Sequence, residues 1–212
     1  MKKATSLSVA FGLAVLSACS HRPPVQNVMV PPRVDLAPHE MIGVVDFGSP
    51  SNRELGEMTT RRFTEMARRD QGMIRVVDLG TRDEAMRSVG RSTWDTETFK
   101  ALGRQHGVAS LFVGEVTVSQ VRPDVRVYAS LRGGEVTATV DATLDARLIE
   151  TATGASLWSS SGHVTQGVGH VSLVSGGPLS LDARDPEAAY GELVEQLVDQ
   201  VTRDFRATWQ QR

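Results

Sequence analysis

Between Val136 and Leu148 the chain alternates without a break. Val136, Ala138, Val140, Ala142, Leu144, Ala146 and Leu148 share one parity; Thr137, Thr139, Asp141, Thr143, Asp145 and Arg147 share the other. Successive side chains of a strand point to opposite faces, so this segment reads as a half-buried strand with one apolar and one polar side. Any fold built around it needs a sheet, and something to cover one face of that sheet. Glu150 to Gly154 then turn the chain, with glycine where a hairpin needs positive φ, and Ala155 to Ser160 return as the partner.

The remaining elements follow from shorter patterns. Met41 to Phe47 is an apolar run ended by Gly48 and Pro50, which suits a buried strand. Ser51 or Asn52 can cap a helix whose apolar positions are Leu55, Met58, Phe63, Met66 and Ala67, with Gly72 as its stop. Ile74 to Leu79 is a second strand closed by Gly80, and a weaker helix follows at Arg82 to Val89. Asp95 caps another helix, which carries Phe99, Leu102 and His106 on one side and ends at Gly107. Ala109 to Ser119 is a third strand. Asp185 or Pro186 opens a last helix to about Trp209, with Tyr190, Leu193, Val194, Leu197, Val198, Val201 and Phe205 as its seam. The expected class is α/β (α+β): one mixed-sheet domain in the order β-α-β-α-β-β-β-α, with helices packed on the sheet to bury its apolar stripes.

The first residues carry a different signal. Lys2 and Lys3 precede a small-residue apolar run from Leu7 to Val15, which closes on Leu16-Ser17-Ala18-Cys19. That is the layout of an export leader, and the run is far short of the ~20 residues a spanning helix needs. Cys19 after small residues resembles the bacterial lipobox. The resemblance implies cleavage before Cys19, a diacylglycerol on its thiol and an acyl chain on the new amine. Ser20 stands where Asp would resemble an inner-membrane retention signal, so the outer membrane is favoured. The expected division is a lipoprotein signal peptide (1–18), a lipid anchor with a Pro-rich tether (19–40) and a periplasmic domain (41–209). Val28 to Val30 have strand character, but the stretch from Ser20 to Pro38 has five prolines and no period. It reads as disordered, reaching at most ~60 Å at ~3.1 Å per residue.

Composition narrows the function. The chain has 23 Lys and Arg against 25 Asp and Glu; without Lys2 and Lys3 the balance is 21 against 25, a formal charge of −4. With no basic excess to neutralise phosphates, a nucleic-acid partner is not expected. The single cysteine, Cys19, rules out an intrachain disulfide and leaves no thiol for a metal or a nucleophile. No G-x-S-x-G, H-E-x-x-H or lysine-bearing Gly-rich loop occurs. His163 and His170 stand seven apart with no evident carboxylate to complete a metal set, and they read as a surface pair. Asp46, at a strand end, reads as a turn or helix-capping residue. No enzymatic activity and no cofactor are expected beyond the covalent lipid on Cys19.

Several phrases together resemble the curli-secretion lipoprotein (CsgG-like) family. They are Ile42-Gly43-Val44-Val45-Asp46-Phe47, the strand Ile74 to Leu79, Gly107 to Gly114, and Leu144 to Ile149 leading into Thr153-Gly154 and Leu157-Trp158. The resemblance spans about 41–208 and implies an anticodon-binding-like domain on an outer-membrane lipid anchor. One branch of that family forms ring-shaped secretion pores; a related one resembles lipoprotein activators of peptidoglycan synthases. The pore reading needs membrane hairpins at 124–142 and 164–183. The first alternates well enough to cross, whereas the return arm of the second, Leu179 to Ala183, is short. The favoured function is therefore a non-enzymatic protein-binding or scaffolding module of envelope assembly, with a curli-type channel and a peptidoglycan-synthase regulator as alternatives. Its partners would be the membrane, through the lipid, and an envelope protein, with assembly into a homo-oligomer left open.

Overall fold

The apolar run at Met41 becomes a central strand because both of its edges find parallel partners. A computed structural model describes residues 27–50, 52–119, 122–127, 134–168 and 186–211. In chain order it contains β1 (Asn27–Val30), β2 (Met41–Val44), α1 (Arg53–Arg68), β3 (Arg75–Asp78), α2 (Arg82–Ser88), α3 (Thr96–His106) and β4 (Ser110–Val118). There follow β5 (Arg122–Val127), β6 (Gly134–Glu150), β7 (Ser156–Val168), α4 (Pro186–Val201) and β8 (Thr208–Gln211). Cys19, the expected leader and the first part of the tether lie outside the described residues, as do most of 164–183 and the centre of 124–142.

Among the described residues, six strands form one mixed sheet. β2 pairs in parallel with β3 and β4, and β4, β6 and β7 continue antiparallel. The three strands anticipated at 42–47, 74–79 and 109–119 thus share one sheet. β4 pairs with Ala142–Glu150 of β6 and β5 with Gly134–Thr139, while β7 pairs with β6 from Ala138 to Ile149. β4 and β5 therefore lie in line along one edge of β6, and β7 takes the other. Met41, Arg75, Ser110 and Glu150 stand level at what we call the lower end; the β5–β6 hairpin is at the upper end.

The alternation of β6 decides which side is packed. Val140, Ala142, Leu144, Ala146 and Leu148 are buried beneath α1 and α4, together with Leu55, Met58, Phe63 and Ala67 of α1 and Leu193, Val194, Leu197, Val198 and Val201 of α4. Phe63 is fully buried, with its ring 5.0 Å from those of both Phe47 and Phe112. Trp158 stacks 4.5 Å from Phe205, and its indole donates to Asp204 Oδ2 at 3.1 Å. Burying each such aromatic contributes about 1.5–3 kcal/mol, with edge-to-face geometry adding to it. α1 can lie this close only because residue 56 is glycine, since a Cβ there would run into the Phe47 carbonyl. Thr60 completes the seam, accepting from Phe47 N and donating to Gly56 O, both at 2.8 Å.

Two expectations are corrected at the lower end. Asn27–Val30 forms a strand against Thr208–Gln211, so the last helix does not run to Trp209 but stops at Val201, followed by a turn of 3-10 helix at Arg203–Phe205. From residue 27 onward, the segment expected to be tether is packed on the domain. Leu36 is fully buried, and Gln71 clasps the neighbourhood. Its Oε1 accepts from Leu36 N at 2.7 Å; its Nε2 donates to Val34 O at 2.8 Å and Phe205 O at 2.6 Å. A buried amide with all three bonds made is a strong local determinant, because each backbone group it satisfies would otherwise be stranded.

Candidate functional site

The opposite face of the sheet is covered over only half its width. α2 and α3 pack on β3, β2 and the start of β4 through Ala85, Phe99, Leu102, Val45, Leu79, Val108, Leu111, Val113 and Ile149. Asp95 caps α3 by accepting from Thr98 N at 3.0 Å, and Thr81 and Glu84 form a capping box on α2, so both short helices are firmly started. Beyond them, β4, β6 and β7 present bare polar side chains.

The register defines this open surface. Glu115 lies opposite Asp145, which lies opposite Ser161; Val113 lies opposite Arg147, which lies opposite Ser159. With Gly114, Arg82 and Trp94 they line a concavity of about 660 Å³, walled on one side by the loop before α3. Arg82 sits 5.5 Å from the Trp94 ring centre, and Trp94 rests edge-on against Phe99 at 5.1 Å, which fixes the wall. Two carboxylates face each other across strands, an arrangement that destabilises a sheet. Among the described residues, no ion pair or side-chain hydrogen bond forms to Glu115, Asp145 or Arg147, so their charges are available to a partner. Above them, Thr165 donates to Asp141 Oδ1 at 2.7 Å, and His163 Nδ1 lies 3.3 Å from the Thr143 hydroxyl.

A second, smaller hollow of about 220 Å³ lies at the upper end of β2, between the starts of α1 and α2. Asp46 is there, but it caps neither helix: Asn52 caps α1 and Thr81 caps α2. Burial, then the charges of Asp78, Glu57 and Glu84, hold the Asp46 carboxyl above its usual range. Arg53, whose charge acts the other way, is bound to Glu57 at 2.8 Å.

These groups do not assemble an obvious reaction centre. His163 is exposed and meets threonines, its expected companion His170 lies outside the described residues, and His106 turns towards Ser88 at 3.3 Å instead of joining the core. Among the described residues no group of three His, Cys, Asp or Glu could hold a metal, and no helix is long and apolar enough to cross a membrane. Half of the open surface was legible beforehand, in the polar parity of β6. The β7 half was not, because Ser159-Ser160-Ser161 is polar on both parities, so nothing in it marks a face.

No family model matches the chain, and no curated protein does either. Among solved structures, the PelC dodecamer from Paraburkholderia phytofirmans is similar at 13% identity and a TM-score of 0.43, covering 85% of this chain and 96% of its own. The LpoB C-terminal domain from Escherichia coli aligns at 17% identity and 0.37, covering 60% and 84%. Lipoprotein GNA1162 from Neisseria meningitidis aligns at 17% identity and 0.36, covering 72% and 94%. Likenesses this distant do not bear on what the chain does.

Proposed function

We propose that this chain is a bacterial envelope lipoprotein, acylated at Cys19, held at the periplasmic face of the outer membrane and acting by binding another envelope protein through the open half of its sheet. The observation that carries the binding role is the charged concavity. Glu115 on β4 and Asp145 and Arg147 on β6 are held rigidly on two hydrogen-bonded strands, with β7 beside them, and their charges are unmatched among the described residues. Paired charge of both signs around a rigid trough suits a polar protein surface, for which it sets register and rejects wrong partners. The proposal assigns no catalysis and no cofactor apart from the lipid. A peptidoglycan synthase is one member of the partner class.

A ring-shaped secretion channel is the competing role, and the placement of the hairpins weighs against it. The described chain begins at the lower end, paired with β8, whereas β5 and the start of β6 stand at the upper end. Sixteen residue steps of β6 separate the two ends, ~53 Å at ~3.3 Å each. The eight residue steps from Cys19 to Asn27 reach at most ~29 Å. An anchor at one end and membrane hairpins at the other are hard to reconcile in one bilayer.

The test is made on full-length protein extracted from membranes in mild detergent. Mass spectrometry should find the chain cut before Cys19 and triacylated. A photo-crosslinker at Ser161 should trap a discrete envelope protein, and the same group at Glu54, on the exposed side of α1, should not. A ring of many subunits with 124–142 protected by lipid would replace this role with the channel.

A further inference from the structure

The five large apolar side chains left exposed among the described residues are Val28, Met29, Met73, Leu157 and Trp209. They come from β1, the loop before β3, the start of β7 and β8, which are remote in sequence; β1 and β8 form a separate ribbon whose base is tied to the lower end of the main sheet, where Ala207 N donates to Asp70 Oδ2 and Trp158 Nε1 to Asp204 Oδ2. Met73 precedes Arg75, which is level with Met41; Leu157 follows Ser156, which pairs with Ile149. Met29 stands directly opposite Trp209 in the β1–β8 ribbon, and the two are 56% and 69% exposed. Scattered exposed apolar residues need no explanation, but a set gathered at one pole does.

The pole also carries arginines free to meet a partner. Arg68 ends α1, Arg69 caps it and Arg75 begins β3; all three are exposed and have no ion-pair partner among the described residues. Acids stand there too: Glu40 lines the same hollow as Arg68, Met73 and Arg75, Glu150 is level with Ser110, and Asp35 and Asp70 accept from Ala37 N and Ala207 N. The upper end of the same strands gathers Asp46, Asp78, Glu57 and Glu84 near one another. One pole is thus apolar with unpaired arginines, and the other is acidic.

We infer that the lower pole rests on a phospholipid surface, with the β1–β8 ribbon seating Met29 and Trp209 at the headgroup level and Arg68, Arg69 and Arg75 facing lipid phosphates. This rests on acylation at Cys19, which lies eight residues before β1 and so keeps the ribbon within ~29 Å of the bilayer. Tryptophan with one polar edge settles at membrane interfaces, and arginine meets phosphate there. The acidic pole and the open trough are then turned towards the periplasm.

The test uses full-length chain in vesicles of phosphatidylethanolamine and phosphatidylglycerol. Met29→Cys, Trp209→Cys and, as a control on the open face, Ser161→Cys each accept an environment-sensitive dye. In the acylated chain the Cys19 thiol is consumed, so one dye per molecule reports acylation and two report its absence. The expected result is one dye per chain, blue-shifted emission at positions 29 and 209 that is quenched by nitroxide-bearing lipids, and water-like emission at 161. Water-like emission at 29 and 209 in a singly labelled chain would overturn the inference and leave the anchor standing. Blue-shifted emission that lipid nitroxides fail to quench would also overturn it, by showing a protein cover instead. Two dyes per chain would remove the anchor and this inference together.

Discussion

The two faces of one sheet have been treated in opposite ways. Under α1 and α4, every even-numbered β6 residue from Val140 to Leu148 is buried and the aromatic rings of Phe47, Phe63, Phe112, Trp158 and Phe205 interlock. On the other face, α2 and α3 stop at β4, and the odd-numbered residues Asp145 and Arg147 are bare. The strands, their register and their twist are common to both faces, so the difference lies in what the side chains are for. One face supplies the stability that lets the other carry unsatisfied charge.

The largest expected effect breaks the covered face. Phe63→Ala removes the ring that joins Phe47, Phe112, Trp158 and Phe205, and α1 cannot collapse into the space because it is already in contact at Gly56. The loss should be about 3–5 kcal/mol in denaturant unfolding. A loss under about 1 kcal/mol would mean that the core is far looser than its ring contacts indicate.

How much of this was legible follows from where each signal lies. From Thr139 to Leu148 the parity gave the buried set and the polar set of β6 correctly, because a period of two is local and long; the side chains of 136–138 lie outside the described residues. The seams of α1 and α4 were legible for the same reason. β1 and β8 were not: each has four residues, and their pairing joins positions about 180 apart, which no local pattern encodes. Leu36 sits alone among prolines and polar residues, and its burial depends on Gln71, an amide that looks like any surface glutamine in the sequence. The open trough depends on where α2 and α3 stop, which is a tertiary fact.

The next effect sharpens the comparison at the lower edge of the covered face. Gln71→Ala leaves Leu36 N, Val34 O and Phe205 O without their partner, and a stranded buried group costs about 1–3 kcal/mol. Hydrogen exchange should show residues 27–40 opening together with 203–211 while β4 and β6 remain protected. If the whole sheet loosens equally, the strap and the core are one cooperative unit and the clasp is not local.

A smaller effect is expected where the two helical covers meet at the upper end. The Asp46 carboxyl is held above its ordinary value of 3.8 by burial and by its acidic neighbours. The folded chain therefore binds this proton more tightly than the unfolded chain does. Stability contributed at Asp46 is highest below the unfolded value and falls as pH rises through the folded one. Asp46→Asn should stabilise the protein at neutral pH and have little effect near pH 3, as read from urea midpoints at both. The N-cap Asp95 is opposite in sign: its hydrogen bonds to Thr93 and Thr98 lower it to about 2, so its contribution is lost as pH falls through that value. A pH-independent gain in Asp46→Asn would place its effect in packing.

The smallest change bears most directly on function. Glu115 and Asp145 oppose each other across β4 and β6, with neither bound to Arg147 or Arg82. Like charges directly opposite destabilise a sheet by about 0.2–1 kcal/mol, so Asp145→Asn should raise the urea midpoint by an amount in that range and less at high salt, where the repulsion is screened. On the covered face β6 has no charge to remove, because Val140, Ala142, Leu144, Ala146 and Leu148 are apolar there. If Asp145→Asn gains stability yet loses the crosslink at Ser161, the pair is kept for binding at a cost to the fold. If it gains stability and leaves the crosslink intact, the trough is an ordinary solvated face and the partner docks elsewhere. If it loses stability, an arginine must be satisfying Asp145 in solution, and the two faces differ less than their side chains indicate.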